Sequence, residues 1–204
     1  MAIAGTGGDG RGPWLERALF LAGIACLSWV LLTWMEAIVF QSCARNELLP
    51  SASVPSLRQA APAGIGQRPR EDDVIGILEI PRVGVSSVVV EGDDADALHI
   101  AVGHLPDTPL PWASGNSALA GHRDTFFRRL GELRMGDEIL FTTTHGRLSY
   151  RVRELMVVNP DAVWVLSPSA GADLTLITCY PFHYVGLAPH RFIVQATRSR
   201  VSDV

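Results

Sequence analysis

The longest uncharged apolar stretch of the chain lies near its start. Residues 18–35 read ALFLAGIACLSWVLLTWM. As a helix rising about 1.5 Å per residue this stretch reaches roughly 27 Å, close to a bilayer core of about 30 Å. Trp14 and Trp34 stand near its ends, where indole rings favour the membrane interface, and Trp29 lies within it. Arg11 and Arg17 precede the stretch, Glu36 follows it, and the next basic residue is Arg45. That asymmetry predicts a cytoplasmic N-terminus and an extracytoplasmic remainder, extracellular or periplasmic. The pattern thus predicts a cytoplasmic segment over 1–14 and a single transmembrane helix or signal anchor over 15–40. A cleaved signal peptide is the alternative. Its apolar region is usually only about 7–15 residues, and Ser51-Ala52-Ser53 is a weak small-x-small site. Beyond Phe40 the apolar pattern stops. Pro50, Pro55, Pro62 and Pro69 punctuate a stretch rich in Ala, Ser and Arg, which predicts a flexible linker over 41–73. Such a coil of about 30 residues spans roughly 30 Å.

From Val74 onward the pattern changes to that of strands, and a domain is expected over 74–204. Apolar or alternating runs occur at 74–80, 85–90, 116–120, 138–143, 148–158, 174–179 and 192–197. Leu148, Tyr150 and Val152 alternate with Ser149, Arg151 and Arg153, the period of a half-exposed strand. His145-Gly146 between two runs suits a hairpin turn. Helical signals are short, at 94–101 and around 126–130. About seven strands in such a length predict an all-β barrel or sandwich.

Composition narrows the function. The formal net charge is −4 over 204 residues, so no overall basic footprint favours nucleic acid. The cysteines are Cys26, Cys43 and Cys179. An odd, widely spaced set is no disulfide framework, and the absence of C-x-x-C excludes a thioredoxin-type dithiol. Only Cys179 belongs to the strand-rich part. It ends the apolar run Thr175-Leu176-Ile177-Thr178-Cys179, and Tyr180-Pro181 follows. Proline cannot donate a ladder hydrogen bond, so the strand should stop there. A strand end fixes a side chain and leaves it accessible, which suits a nucleophile. A thiol also needs an imidazole or a cation beside it. Two segments offer them. Gly121-His122-Arg123-Asp124 follows the run 116–120, with Gly121 expected to permit a sharp turn. Ala188-Pro189-His190-Arg191 opens the last run. Arg191 stays protonated and can hold an oxyanion or carbonyl, never act as base.

These segments resemble the sortases. Residues 175–179 read T-L-I-T-C, matching the family's T-L-x-T-C strand. Residues 115–123 read G-N-S-A-L-A-G-H-R, like the family's histidine segment, and Arg191 follows the cysteine at the family's spacing. Residues 77–81 (I-L-E-I-P) and 103–111 (G-H-L-P-D-T-P-L-P) also fit. The Cys-Tyr-Pro-Phe continuation is most similar to class D sortases or those of Gram-negative bacteria. The resemblance implies a closed eight-stranded β-barrel with short helices behind a transmembrane helix. It implies a cysteine transpeptidase in which Cys179 attacks the carbonyl after Thr in an L-P-x-T-(G/A)-like signal. His122 then moves protons and Arg191 steadies the oxyanion. The implied partners are substrate proteins with a C-terminal sorting signal, an amine acceptor from the cell envelope or a pilin lysine, and the lipid bilayer. No cofactor, metal or nucleic acid is implied. Thr178, His104, His183 and His190 are secondary candidates for substrate contact, and Asp124 for orienting His122. Glu91, Asp93 and Asp94 are read as a solvated turn and helix cap rather than a calcium site. Two rivals stay open: another exported Cys/His acyl-transfer enzyme, such as a peptidase or L,D-transpeptidase, and a catalytically degenerate membrane-tethered binding barrel.

Overall fold

The computed structural model describes residues 13–48, 69–144, 146–184 and 186–199. Compact units divide between Ile38 and Val39. Helix α1 spans Pro13–Leu48. Within it, Trp14–Ala44 is long and apolar enough to cross a membrane. The Thr33 hydroxyl donates to the Val30 carbonyl at 2.9 Å, so this polar group is satisfied inside the helix. The helix continues past Phe40 into the first residues of the expected linker. The reason is local: Gln-Ser-Cys-Ala-Arg-Asn-Glu-Leu contains no breaker, and Pro50 is the first residue to forbid helix. Residues 49–68, the Pro-rich remainder of that linker, lie outside the described residues.

The second unit is a closed barrel of eight strands: β1 (Val74–Ile80), β2 (Val85–Glu91), β3 (Val102–His104), β4 (Gly115–Ala120), β5 (Glu138–Thr143), β6 (Gly146–Val158), β7 (Ala172–Tyr180) and β8 (His190–Arg198). Around the barrel the order is β1-β2-β3-β4-β7-β8-β6-β5, and β5 closes on β1. The pairs β2–β3 and β4–β7 are parallel, the rest antiparallel. The alternating pattern is what closes it. Leu78, Ile80, Leu119, Ile139, Phe141, Tyr150, Leu174, Leu176 and Val194 fill the interior, each from one face of its strand. Helix α2 (Ala95–Ile100) is capped by the Asp94 carboxylate, which accepts from the backbone N–H of Asp96 and Ala97.

Seven strands fall where the apolar runs predict them, with ends moved by up to two residues. The eighth, β3, escapes a pattern reading because it has three residues with Gly103 at its centre. A Cβ on Gly103 would lie 2.2 Å from the Gly92 carbonyl oxygen. The close approach that makes the strand possible thus removes the residue type that would advertise it. His145 of the expected hairpin turn is outside the described residues. Gly146 beside it has φ +136°, a torsion that favours glycine.

Candidate active site

Three neighbouring strands build the site. Strand β4 runs parallel to β7 with Ala120 opposite Ile177. The chain keeps this alignment just beyond β4: the Gly121 N–H donates to the Ile177 carbonyl at 3.1 Å. The Thr178 hydroxyl donates to the Gly121 carbonyl at 2.7 Å. His122 therefore leaves β4 at the level of Cys179. On the other side of β7, Cys179 is the direct antiparallel partner of Arg191 in β8. Cys179 thus lies between the turn that carries His122 and the strand that carries Arg191.

Alternation assigns the face. Leu119, Leu174, Leu176 and Val194 point into the core, so Cys179 and Arg191 lie on the outer face. His122 is exposed and Cys179 half-buried, which leaves both accessible. The Arg191 Nη1 donates to the carbonyls of Ala188 at 3.3 Å and His190 at 3.0 Å. Those bonds tether one end of the guanidinium fork. Among the described residues its Nε and Nη2 have no hydrogen-bond partner, and such donors suit a developing oxyanion.

The turn after His122 is held by packing. The Phe127 N–H donates to the His122 carbonyl at 3.0 Å, and the Phe127 ring is fully buried. A Cβ on Gly121 would lie 2.7 Å from that ring. Gly121 is absent from the positive-φ glycines, so its role differs from the sequence expectation: it makes room for Phe127 rather than permitting an unusual torsion. On the cysteine side, Tyr180-Pro181 is cis, and Tyr180, Phe182 and Phe192 form an aromatic cluster with centroids 5.3–6.2 Å apart.

The secondary candidates separate. Thr178 is buried, and its hydroxyl is spent on Gly121. His104 is 1 % exposed, which removes it from any substrate surface. Its Nδ1 lies 2.8 Å from Glu91 Oε2, and its Nε2 faces the Pro109 carbonyl at 3.1 Å and Thr108 Oγ1 at 3.2 Å. It braces the loop between β3 and β4. His190 pairs with Tyr180 and alternates away from the face of Arg191. His183 is exposed in the loop between β7 and β8, and Asp124 is exposed in its turn. Asp94 serves the helix cap and Glu91 pairs with His104. Among the described residues, no cluster of three or more His, Cys, Asp or Glu is arranged to hold a metal ion.

Sequence reasoning missed Asn116 and Arg123 as structural agents, although both lie in the quoted histidine segment. The Asn116 side chain accepts from the Thr175 hydroxyl at 2.7 Å and donates to the Val165 carbonyl at 3.0 Å. It joins β4 to β7 and draws the Val163–Leu166 turn toward them. Arg123 reaches the loop beyond Cys179.

A thiol flanked by an imidazole and a guanidinium suits acyl transfer. A sequence model described as the Sortase domain matches residues 78–199. The chain belongs to the sortase family. Sortase D of Bacillus subtilis is 40% identical over 132 residues, covering 64% of this chain and 67% of that protein. A Clostridium perfringens sortase D5 transpeptidase superposes with a TM-score of 0.60 at 30% identity, covering 65% of this chain and 83% of that one. A Clostridium perfringens sortase C with the C-terminal cell wall sorting motif also gives a TM-score of 0.60 at 30% identity, with coverages of 65% and 74%. Sortase-type transpeptidation is thus the family's chemistry, and the closed barrel is the family's frame.

Proposed function

We propose that this sortase cleaves an L-P-x-T-(G/A)-like sorting signal after its threonine and transfers the acyl group to an amine. Cys179 Sγ attacks the threonyl carbonyl carbon. The amide C–N bond breaks, a thioester forms on Sγ, and His122 gives the leaving amine its proton. An incoming amine then attacks the thioester carbon and loses a proton to His122. The C–S bond breaks, and Cys179 is regenerated. Arg191 donates to the carbonyl oxygen while it carries negative charge in both halves. The thioester conserves the energy of the first amide for the second.

One observation carries this reading: Cys179 is the direct strand partner of Arg191, and His122 leaves the opposite neighbouring strand at the same level. A sorting motif accompanies a relative of the same fold, which favours a peptide of that class. The acceptor is an amine of the cell envelope or a pilin lysine. The uncharged apolar run 18–35 within helix α1 anchors the enzyme in the membrane, and the Arg11 and Arg17 flank favours a cytoplasmic N-terminus with the barrel outside.

The deciding experiment incubates the enzyme with an L-P-x-T-G and L-P-x-T-A peptide library plus a free amine. Mass spectrometry should find an acyl fragment ending in threonine on Cys179 and an amine-trapped product in solution. Hydrolysate alone, with no amine adduct, would turn the assignment to a peptidase.

A further inference from the structure

Arg123 follows His122 directly, yet its side chain serves the opposite loop. Its Nη1 donates to the Pro181 carbonyl at 3.1 Å. Its Nη2 donates to the carbonyls of Tyr184 at 2.7 Å and Gly186 at 3.1 Å. The guanidinium carbon lies 6.0 Å from the centroid of the Tyr184 ring, within cation–π range. All three carbonyls belong to the loop that joins Cys179 at the end of β7 to Arg191 in β8. A second attachment runs beside the first. A Cβ on Gly131 would meet the Phe182 ring at 2.5 Å, so this loop's aromatic ring rests directly on the segment that follows the His122 turn.

We propose that Arg123 is a positioning residue that fixes His122 relative to the hairpin bearing Cys179 and Arg191. The inference rests on the reading of those three as the reacting set. The connection is short: one peptide unit separates Arg123 from His122, and Pro181 is two residues past Cys179. Guanidinium chemistry suits the task. Its planar fork presents donors on separate nitrogens, and here Nη1 and Nη2 serve different carbonyls. A lysine has a single nitrogen and cannot occupy both places. Two of the three bonds lie at exposed positions, so water can satisfy the carbonyls once Arg123 is gone. Loss of the clamp therefore costs geometry more than stability.

The full chain in detergent micelles is compared with R123A, R123K and R123Q. For R123A, kcat should fall about 100-fold, the scale of a misplaced catalytic group. KM should change by less than about threefold, because the clamp aligns groups that act in the transition state. Tm should fall by less than about 4 °C. Hydrogen exchange should accelerate across 182–184, 186–187 and 122–127. Millimolar guanidinium should restore part of the R123A rate and slow its loop exchange. It should do nothing for H122A, and R123K should stay impaired. A raised KM at unchanged kcat, a rate loss that tracks Tm, or no guanidinium response would overturn the proposal. R123Q supplies the same comparison if R123A folds poorly. Should the wild-type chain yield no amine-trapped product, the transpeptidase reading fails. Guanidinium-reversible loop exchange still decides for the clamp, and unchanged exchange against it.

Discussion

Gly121 and Thr178 lie between the two protonic partners of the site, and neither needs to touch substrate to matter. The Thr178 hydroxyl is buried and donates to the Gly121 carbonyl at 2.7 Å. Thr178→Val keeps the shape and deletes the donor, leaving that carbonyl without its partner at a cost of about 1–3 kcal/mol. We expect denaturant unfolding to register that loss, kcat to fall because the His122 turn loosens, and Thr178→Ser to restore both. A raised KM at unchanged stability would instead assign the hydroxyl to substrate. Gly121→Ala acts from the other side. Its Cβ would sit 2.7 Å from the Phe127 ring, and overpacking of this kind costs about 1–3 kcal/mol. Both variants should lose activity without altering Cys179 or His122. Glycine at this position is read correctly from sequence only as necessary. Its reason is invisible there, because Phe127 contacts it across a turn and not along a strand.

The connections between strands are braced by buried polar groups that periodicity does not reveal. Apolar alternation makes β5, β6 and β7 legible, since each presents one face to the core. The T-L-I-T-C run is legible as a strand end because Pro181 stops the ladder. The loop between β3 and β4 is not legible in the same way. It is tied by His104 to Pro109, by Thr108 to the Ala118 N–H at 3.0 Å, and by the Tyr150 hydroxyl donating to the Pro111 carbonyl. Such ties join a side chain to backbone 5, 10 and 39 residues away, with no periodicity to mark them. That is why His104 reads as a site candidate from sequence and proves to be a brace. Tyr150 makes the element testable. Burial is the main cause that pushes its phenol up to about 12, and Asp173 adds to it against the opposing effect of Arg198. The folded value lies above the ordinary value of 10.0. The neutral phenol's stabilisation is therefore complete below pH 10 and lost as pH rises toward 12. Linkage over that window amounts to roughly 2–3 kcal/mol. Wild-type stability should decline between pH 10 and 12. Tyr150→Phe should flatten that decline while costing about 1 kcal/mol at neutral pH through the lost bond to Pro111. An equally steep alkaline decline in the variant would assign the titration to another group.

At the scale of the whole chain, the unit that carries the site begins inside helix α1, at Val39. The Gln41 amide accounts for this. Its Nε2 donates to the Ile100 carbonyl at 2.8 Å, and its Oε1 accepts from the Val88 N–H at 2.8 Å. Both backbone groups need an outside partner. Ile100 is the last residue of α2, whose final carbonyls have no acceptor role within the helix. Val88 lies one residue before the paired stretch of β2 and β3, which starts at Val89. One side-chain amide therefore fills a gap between a helix end and a strand. Ala44 and Phe40 add apolar cover over Val88, Val90, Ala97 and Ala101. A chain beginning at Val39 should accordingly melt a few degrees above one beginning at Pro69, because the shorter chain loses both part-buried hydrogen bonds, at roughly 0.5–1.5 kcal/mol each, and the apolar cover. Gln41→Ala in the longer chain should abolish most of the difference, whereas Gln41→Glu should abolish only part of it, since a carboxylate can still accept from Val88 but cannot donate to Ile100. Matching melting curves for the two lengths would mean that residues 39–48 contribute nothing to the barrel. The sequence pattern predicts a helix ending at Phe40, a linker over 41–73 and a domain from Val74. It gives no sign of the Gln41 contacts, because the residue that docks is polar and belongs to no apolar run.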